Sequence, residues 1–325
     1  MVNVWRAAES MKSAMTVAAL AGAIFLSTGL LARAAATEAG ASGTTPSTSS
    51  RVAARRVVTH AKRIRTGLDE PALRSSAALV FDESKAAVLF SKHADQATPI
   101  ASITKLMTAL VVLEANQPLD ETIAITRDDQ RLDKPTASRL VVGTELSRGD
   151  LLHLALMSSE NRAANALGRS YPGGLAACVA AMNAKARALG MTSAHFVEPT
   201  GLSSDNVASP EDLSKLVIAA SQNTSIQSYS TDSRYAVPVG RRMLEFRNTD
   251  SLVSSPSWNI VVQKTGYIAE AGKCLVMKAI IEGRAIVIVL LDSVGKQTRV
   301  ADARRIKKWM ETRLSADSRP TARRA

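Results

Sequence analysis

The chain has 325 residues, 46% apolar and 22% charged, a globular balance that excludes a wholly disordered polymer. Its formal net charge of +12 favours anionic surroundings, but an aromatic content of 4% argues against nucleic acid as a partner. Two cysteines, Cys178 and Cys274, exclude a disulfide framework, and the histidines at 60, 93, 153 and 195 lack any HExxH or close pairing, so no metal or cofactor is expected.

In chain order, the first element is an export signal. A basic start ending at Lys12 is followed by the uncharged stretch Ser13–Ala32 and by "RAAA", with cleavage after Ala34 or Ala36. About twenty apolar residues also suffice to span a bilayer, so an uncleaved anchor is the competing reading. Either way the bulk of the chain is exported, and a periplasmic location is expected. Losing residues 1–34 removes Arg6, Lys12, Arg33 and Glu9 and leaves a net charge of +10. Residues 35–75 read as a flexible basic linker, small and polar to residue 50, then carrying Arg51, Arg55, Arg56, Lys62, Arg63, Arg65 and Arg74. Weak association of this arm with an anionic wall or membrane surface is one expectation; a solvated spacer is the other.

A catalytic-sized domain is expected over 76–315. "SAALVFDESKAAVLFSKHAD" predicts a β-hairpin around an Asp-Glu-Ser-Lys turn. A helix from about Ser102 to Ala115 follows. Residues 116–255 read as a mainly helical insert, with a break at "SSEN", a stop at Gly190, and a start where Ser209 caps and Pro210 takes the first helical position. Within it Cys178 falls on a helix, whereas Cys274 falls on a later strand, so each reads as an independent core residue, with a Cys178–Cys274 bridge in an oxidising compartment as the alternative. "WNIVVQKTG", "KCLVMKAIIEG" and "RAIVIVLLDS" predict three consecutive strands, the first of them central. "VADARRIKKWMETRL" sets Val300, Ala303, Ile306, Met310 and Leu314 on one helical face, before a basic tail at 316–325. The fold class is α+β: an antiparallel sheet from 76–115 and 256–315, flanked by helices, with a helical subdomain inserted and a groove between the two parts.

Three short motifs carry chemistry, and each has decoys. Ser102-x-x-Lys105 opens an apolar helix, where free amides and the dipole favour a developing anion. The same spelling at Ser293 and Lys296 belongs to a glycine-containing turn. Ser159-x-Asn161 lies at the helix break; Ser204–Asn206, Ser221–Asn223 and Ser257–Asn259 match it in less rigid places. Lys264-Thr265-Gly266 ends an apolar strand, and glycine there lets a ligand approach the backbone. A serine hydroxyl needs a base, and a lysine serves only if its ammonium is destabilised, here by burial and by the second cation Lys264.

That order of motifs resembles the penicillin-recognising serine enzymes. "LMSSENRAANALGRSYPGG", "FVEPTGLSSDNVASPEDLSKL" and "WNIVVQKTGYIAEAGKCLVM" are similar to the D-alanyl-D-alanine endopeptidases of the penicillin-binding protein 7 type, over about residues 76–313. The resemblance implies a β-lactamase/transpeptidase-like fold, peptidoglycan stem peptides as substrate, and β-lactam antibiotics as covalent inhibitors. It implies Ser102 as nucleophile, Lys105 as its base and Ser159 as proton relay to the leaving amine. Asn161, Lys264, Thr265, Gly266 and Tyr267 would bind substrate, with the N–H groups of Ser102 and Tyr267 forming the oxyanion hole. A carboxypeptidase, a β-lactamase using Glu198 for deacylation and an idle penicillin-binding module are the alternatives; a structural or groove-edge role is expected for Glu198.

Overall fold

The computed structural model describes residues 70–130, 138–295 and 297–317. The expected signal, nearly all of the basic arm, Lys296 and the tail beyond 317 lie outside them. The predicted hairpin is β1 (Ser75–Asp82) and β2 (Ala87–Lys92), turned by a short 3-10 segment whose first amides are satisfied from the Asp82 side chain (Lys85 N, 3.2 Å). A two-residue strand, β3 (Thr98–Pro99), precedes α1 (Thr104–Glu114). The helical part holds the short pair β4 (Thr122–Ala124) and β5 (Glu145–Ser147), then α2 (Arg148–Met157), α3 (Asn161–Arg169) and α4 (Gly174–Ala188). It continues with β6 (Val207–Ala208), α5 (Pro210–Ala220), α6 (Thr224–Thr231), and the hairpin of β7 (Arg234–Val239) and β8 (Arg242–Arg247). The chain closes with β9 (Asn259–Ile268), β10 (Gly272–Ile281), β11 (Arg284–Ser293) and α7 (Thr298–Asp317).

Early and late strands join one antiparallel sheet, as expected. β1 pairs with β11 from Ser75↔Ser293 to Asp82↔Ile286, which gives the order β2-β1-β11-β10-β9. Both faces of the sheet are covered. Val287, Val289 and Leu291 face a core shared with the helical part, while Ile286, Ile288 and Leu290 face Val300, Ala303, Ile306 and Met310 of α7. Burial on two faces explains why these strands are unbroken apolar runs instead of alternating ones. Cys178 on α4 and Cys274 on β10 are both buried and unbridged.

Two expectations need correction. Residues 116–255 are mainly helical as expected but also carry strands that were not expected: β7 and β8 form a hairpin, β4 pairs with β5, and β6 pairs with β3. Nor is the Lys264-Thr265-Gly266 strand central. β9 is an edge of the sheet, buried where α6 packs over it and where Gln263 donates to the Ser230 carbonyl (2.6 Å) and Asn248 Oδ1 (2.9 Å). Side-chain burial by a helix mimics, in sequence, burial between two strands.

Candidate active site

Ser102 sits in the 3-10 turn Ala101–Ile103 that leads into α1, so the helix proper begins two residues after the serine. Two glycines press on its peptide. Gly201 has φ 81°, and a Cβ there would fall 1.9 Å from the Ala101 carbonyl oxygen and 2.8 Å from Ser102 N. A Cβ on Gly266 would fall 2.9 Å from the Ile100 carbonyl oxygen and 3.1 Å from Ser102 N. The backbone before the serine is itself held in the left-handed region, Ala101 at φ 48°. Only residues without side chains can close on the serine from both sides.

One turn after Ser102, as the second residue of α1, Lys105 is fully buried. Its Nζ donates to Ser102 Oγ (2.9 Å), Asn161 Oδ1 (2.7 Å) and the Thr200 carbonyl (2.6 Å). Three acceptors match three ammonium hydrogens. When the amine is neutral, the two fixed acceptors, Asn161 and Thr200, still hold its two hydrogens, and the lone pair is left pointing at the serine hydroxyl. Burial lowers the Lys105 pKa from 10.5 to about 8, against the opposing charges of Glu198 and Glu160.

Asn161 reaches this lysine because the chain breaks between α2 and α3. Ser158 closes α2, Ser159 takes φ 61°, and Glu160 caps α3 by accepting from Arg162 N (3.2 Å) while also holding Ser138 Oγ (2.6 Å). The left-handed residue costs about 1–2 kcal/mol, and the sharp turn makes Asn161 the first residue of α3, facing α1. Ser159 stands at the bend itself.

On the sheet side of the site, Lys264 is buried on β9 with Nζ on the Thr265 carbonyl (2.8 Å). Thr265 bonds Thr249 through their hydroxyls (2.6 Å), and Gly266 lies against Ser102 as described. The Tyr267 side chain is 59% exposed, with Lys273 Nζ 4.0 Å from its ring centre. Burial first, then the Lys105 and Arg299 charges, push the Lys264 pKa well below 10.5, with Asp250 opposing, and the repulsion between the two lysines acts on both alike.

The decoys resolve as structure. Ser293 bonds Ser75 (2.6 Å between hydroxyls), and Asn223 caps α6. Asn206, the literal Ser-Asp-Asn match, donates to Glu198 Oε1 (2.9 Å) and accepts from Val197 N (2.8 Å). Glu198 is buried among donors, which agrees with a structural role. Residues that pattern reading missed are Thr200, whose carbonyl holds Lys105, and Arg299 on α7, whose guanidinium donates to the Gly266 carbonyl (3.0 Å). Thr200 contributes only backbone and Arg299 lies far downstream on a separate element, so no motif marks either.

A serine beside a buried lysine, in a turn that packs on the edge strand of a five-stranded antiparallel sheet and opens a helix packed among α2 to α6, defines a serine peptidase of the penicillin-binding class. Structural comparison agrees: the Streptomyces K15 DD-transpeptidase superposes with a TM-score of 0.70 at 27% identity, covering 74% of this chain and 98% of that one. Residues 64–295 match the family model described as D-alanyl-D-alanine carboxypeptidase. Over 242 residues the chain is 48% identical to a D-alanyl-D-alanine endopeptidase of Pseudomonas aeruginosa, covering 74% of this chain and 78% of the relative. Over 249 residues it is 45% identical to one of Escherichia coli, covering 76% and 80%. The chain belongs to the D-alanyl-D-alanine carboxypeptidase family of serine peptidases.

Proposed function

We propose that this peptidase cuts the D-alanyl–diaminopimelate bond that cross-links two peptidoglycan stem peptides, through an ester on Ser102. One observation carries the reading: the buried Lys105 amine, 2.9 Å from Ser102 Oγ, has its other hydrogens taken by Asn161 and Thr200. Neutral Lys105 removes the hydroxyl proton as Ser102 Oγ bonds to the D-alanyl carbonyl carbon. The oxygen that gains charge is received by the N–H groups of Ser102 and Tyr267. Collapse breaks the C–N bond, and the Lys105 proton passes to the amine by way of Ser159. Water then hydrolyses the ester by the same route in reverse.

The substrate side follows from charge and strand geometry. β9 is an edge strand, suited to an extended peptide, with Asn161, Thr265 and the backbone of Gly266 and Tyr267 along its path. Arg299, whose guanidinium donates to the Gly266 carbonyl, makes that wall cationic, which suits the carboxylate adjoining the leaving amine. A β-lactam offers the same acyl carbon and carboxylate, hence its role as covalent inhibitor. Glu198 is unsuited to the water activation of a β-lactamase because both its oxygens are already taken by donors. The endopeptidase relatives favour the cross-link over a terminal D-alanine.

In this reading residues 1–34 direct export to the periplasm, 35–75 tether a peptidase domain over 76–315, and 316–325 form a tail. The tether's cations give at most weak association with anionic wall or membrane, and nucleic acid is no partner. No described helix is long and apolar enough to cross a membrane. Digestion of purified cross-linked muropeptide dimers tests the specificity. Monomers are the expected product; release of D-alanine from monomers with dimers left intact would contradict it.

A further inference from the structure

Glu198 lies on the turn between α4 and β6 and does not touch Ser102 or Lys105 in any hydrogen bond described above. Its surroundings are nevertheless one-sided. Oε2 accepts from Thr200 N (2.7 Å) and Thr200 Oγ1 (2.5 Å); Oε1 accepts from Gly201 N (2.5 Å), Asn206 Nδ2 (2.9 Å) and Ser203 N (3.4 Å). A buried anion with donors on every side folds the Pro-Thr-Gly turn tightly. Two products of that turn reach the catalytic centre: the Thr200 carbonyl on Lys105 Nζ (2.6 Å) and Gly201 against the Ala101–Ser102 peptide.

We propose that Glu198 is a positioning residue for Lys105: as an anion it fixes the turn whose Thr200 carbonyl and Gly201 meet the base and the nucleophile, and it is a carboxylate set beside the lysine's charge. The proposal rests on the reading of Lys105 as the base. The charged and polar groups facing Lys105 are few. Ser102 comes from its own chain segment, Glu160 and Asn161 from α3, Glu198 and Thr200 from the turn, and Lys264 from β9. Glu198 leads the two carboxylates that oppose desolvation, and it alone also holds one of the lysine's acceptors in place. Without it, Lys105 would be a neutral amine at lower pH but a weaker proton acceptor.

The test is the pH dependence of acylation by a fluorescent penicillin, measured from pH 5 to 10 in folded protein. Wild type should show an acid limb with its midpoint near the Lys105 value of about 8. In Glu198→Gln the midpoint should fall by about one pH unit, the usual effect of removing a nearby opposite charge. Asn206→Ala loosens the same turn and leaves the charge, so it should lower the plateau and keep the midpoint. A midpoint in Glu198→Gln equal to wild type, or an equal shift in Asn206→Ala, would overturn the proposal and leave Glu198 a scaffold. If Glu198→Gln fails to fold, Glu198→Asp decides: slower acylation with an unmoved midpoint supports the charge, and a fallen midpoint refutes it. A wild-type profile with no limb near 8 would instead remove the base reading of Lys105, and this proposal with it.

Discussion

Replacing Lys105 by methionine should make the protein more stable while abolishing acylation. Holding Lys105 as an ammonium in a site that lowers its pKa from 10.5 to about 8 costs about 3 kcal/mol relative to the unfolded chain. The sign follows from proton counts. Below about pH 8 both states bind the proton and the full cost is present; between about 8 and 10.5 the unfolded chain binds more protons, so stability rises with pH; above that range both are neutral and the cost is gone. Methionine removes the cost but leaves the buried Thr200 carbonyl without its lysine donor, a loss of about 1–3 kcal/mol. The net gain at pH 7 is about 1 kcal/mol, the difference between those two figures. Urea unfolding of both proteins at pH 7 and pH 10 reads this directly. A variant less stable than wild type at pH 7, or a difference that does not shrink toward high pH, would refute the reasoning.

Gly201→Ala should fold poorly or lose penicillin labelling at least tenfold, because its Cβ would overlap the Ala101 carbonyl at a backbone with φ 81°; melting curves and gel fluorescence measure both. Asn161→Ala should slow acylation about 10²–10³-fold by freeing one hydrogen of the amine to turn toward Ser102, with stopped-flow quenching as the assay. Burial pushes the Cys178 thiol up to about 12 and the Cys274 thiol to about 11, so a thiol reagent should find neither cysteine in native protein at pH 8 and both after denaturation.

The β1–β2 hairpin and β9 to β11 were legible because apolar runs are interrupted only at turn residues. Ser102, Lys105, Ser159 and Asn161 were legible through the order of motifs, and of these Ser102, Lys105 and Asn161 meet through hydrogen bonds at one centre. The hairpin of β7 and β8 was missed because "RYAVPVGRRMLEFR" mixes arginines and a proline into its alternation, which blurs a period of two. The edge position of β9 was misread because apolar content reports burial and not which element does the burying. The literal Ser-Asp-Asn at 204–206 misleads by spelling alone: its asparagine serves Glu198, and only the three-dimensional turn connects that pair to Lys105. Arg299 was invisible because it arrives from α7, an element whose pattern speaks only of packing on the sheet.

The central claim is that the Ser102 oxygen becomes the acyl carrier. Mass spectrometry of penicillin-treated protein, with peptide mapping, tests it most directly. The account predicts one penicilloyl adduct on the peptide containing Ser102 in wild type and none in Ser102→Ala of unchanged melting temperature; an adduct that persists in that variant, or one mapped to another serine, would contradict it.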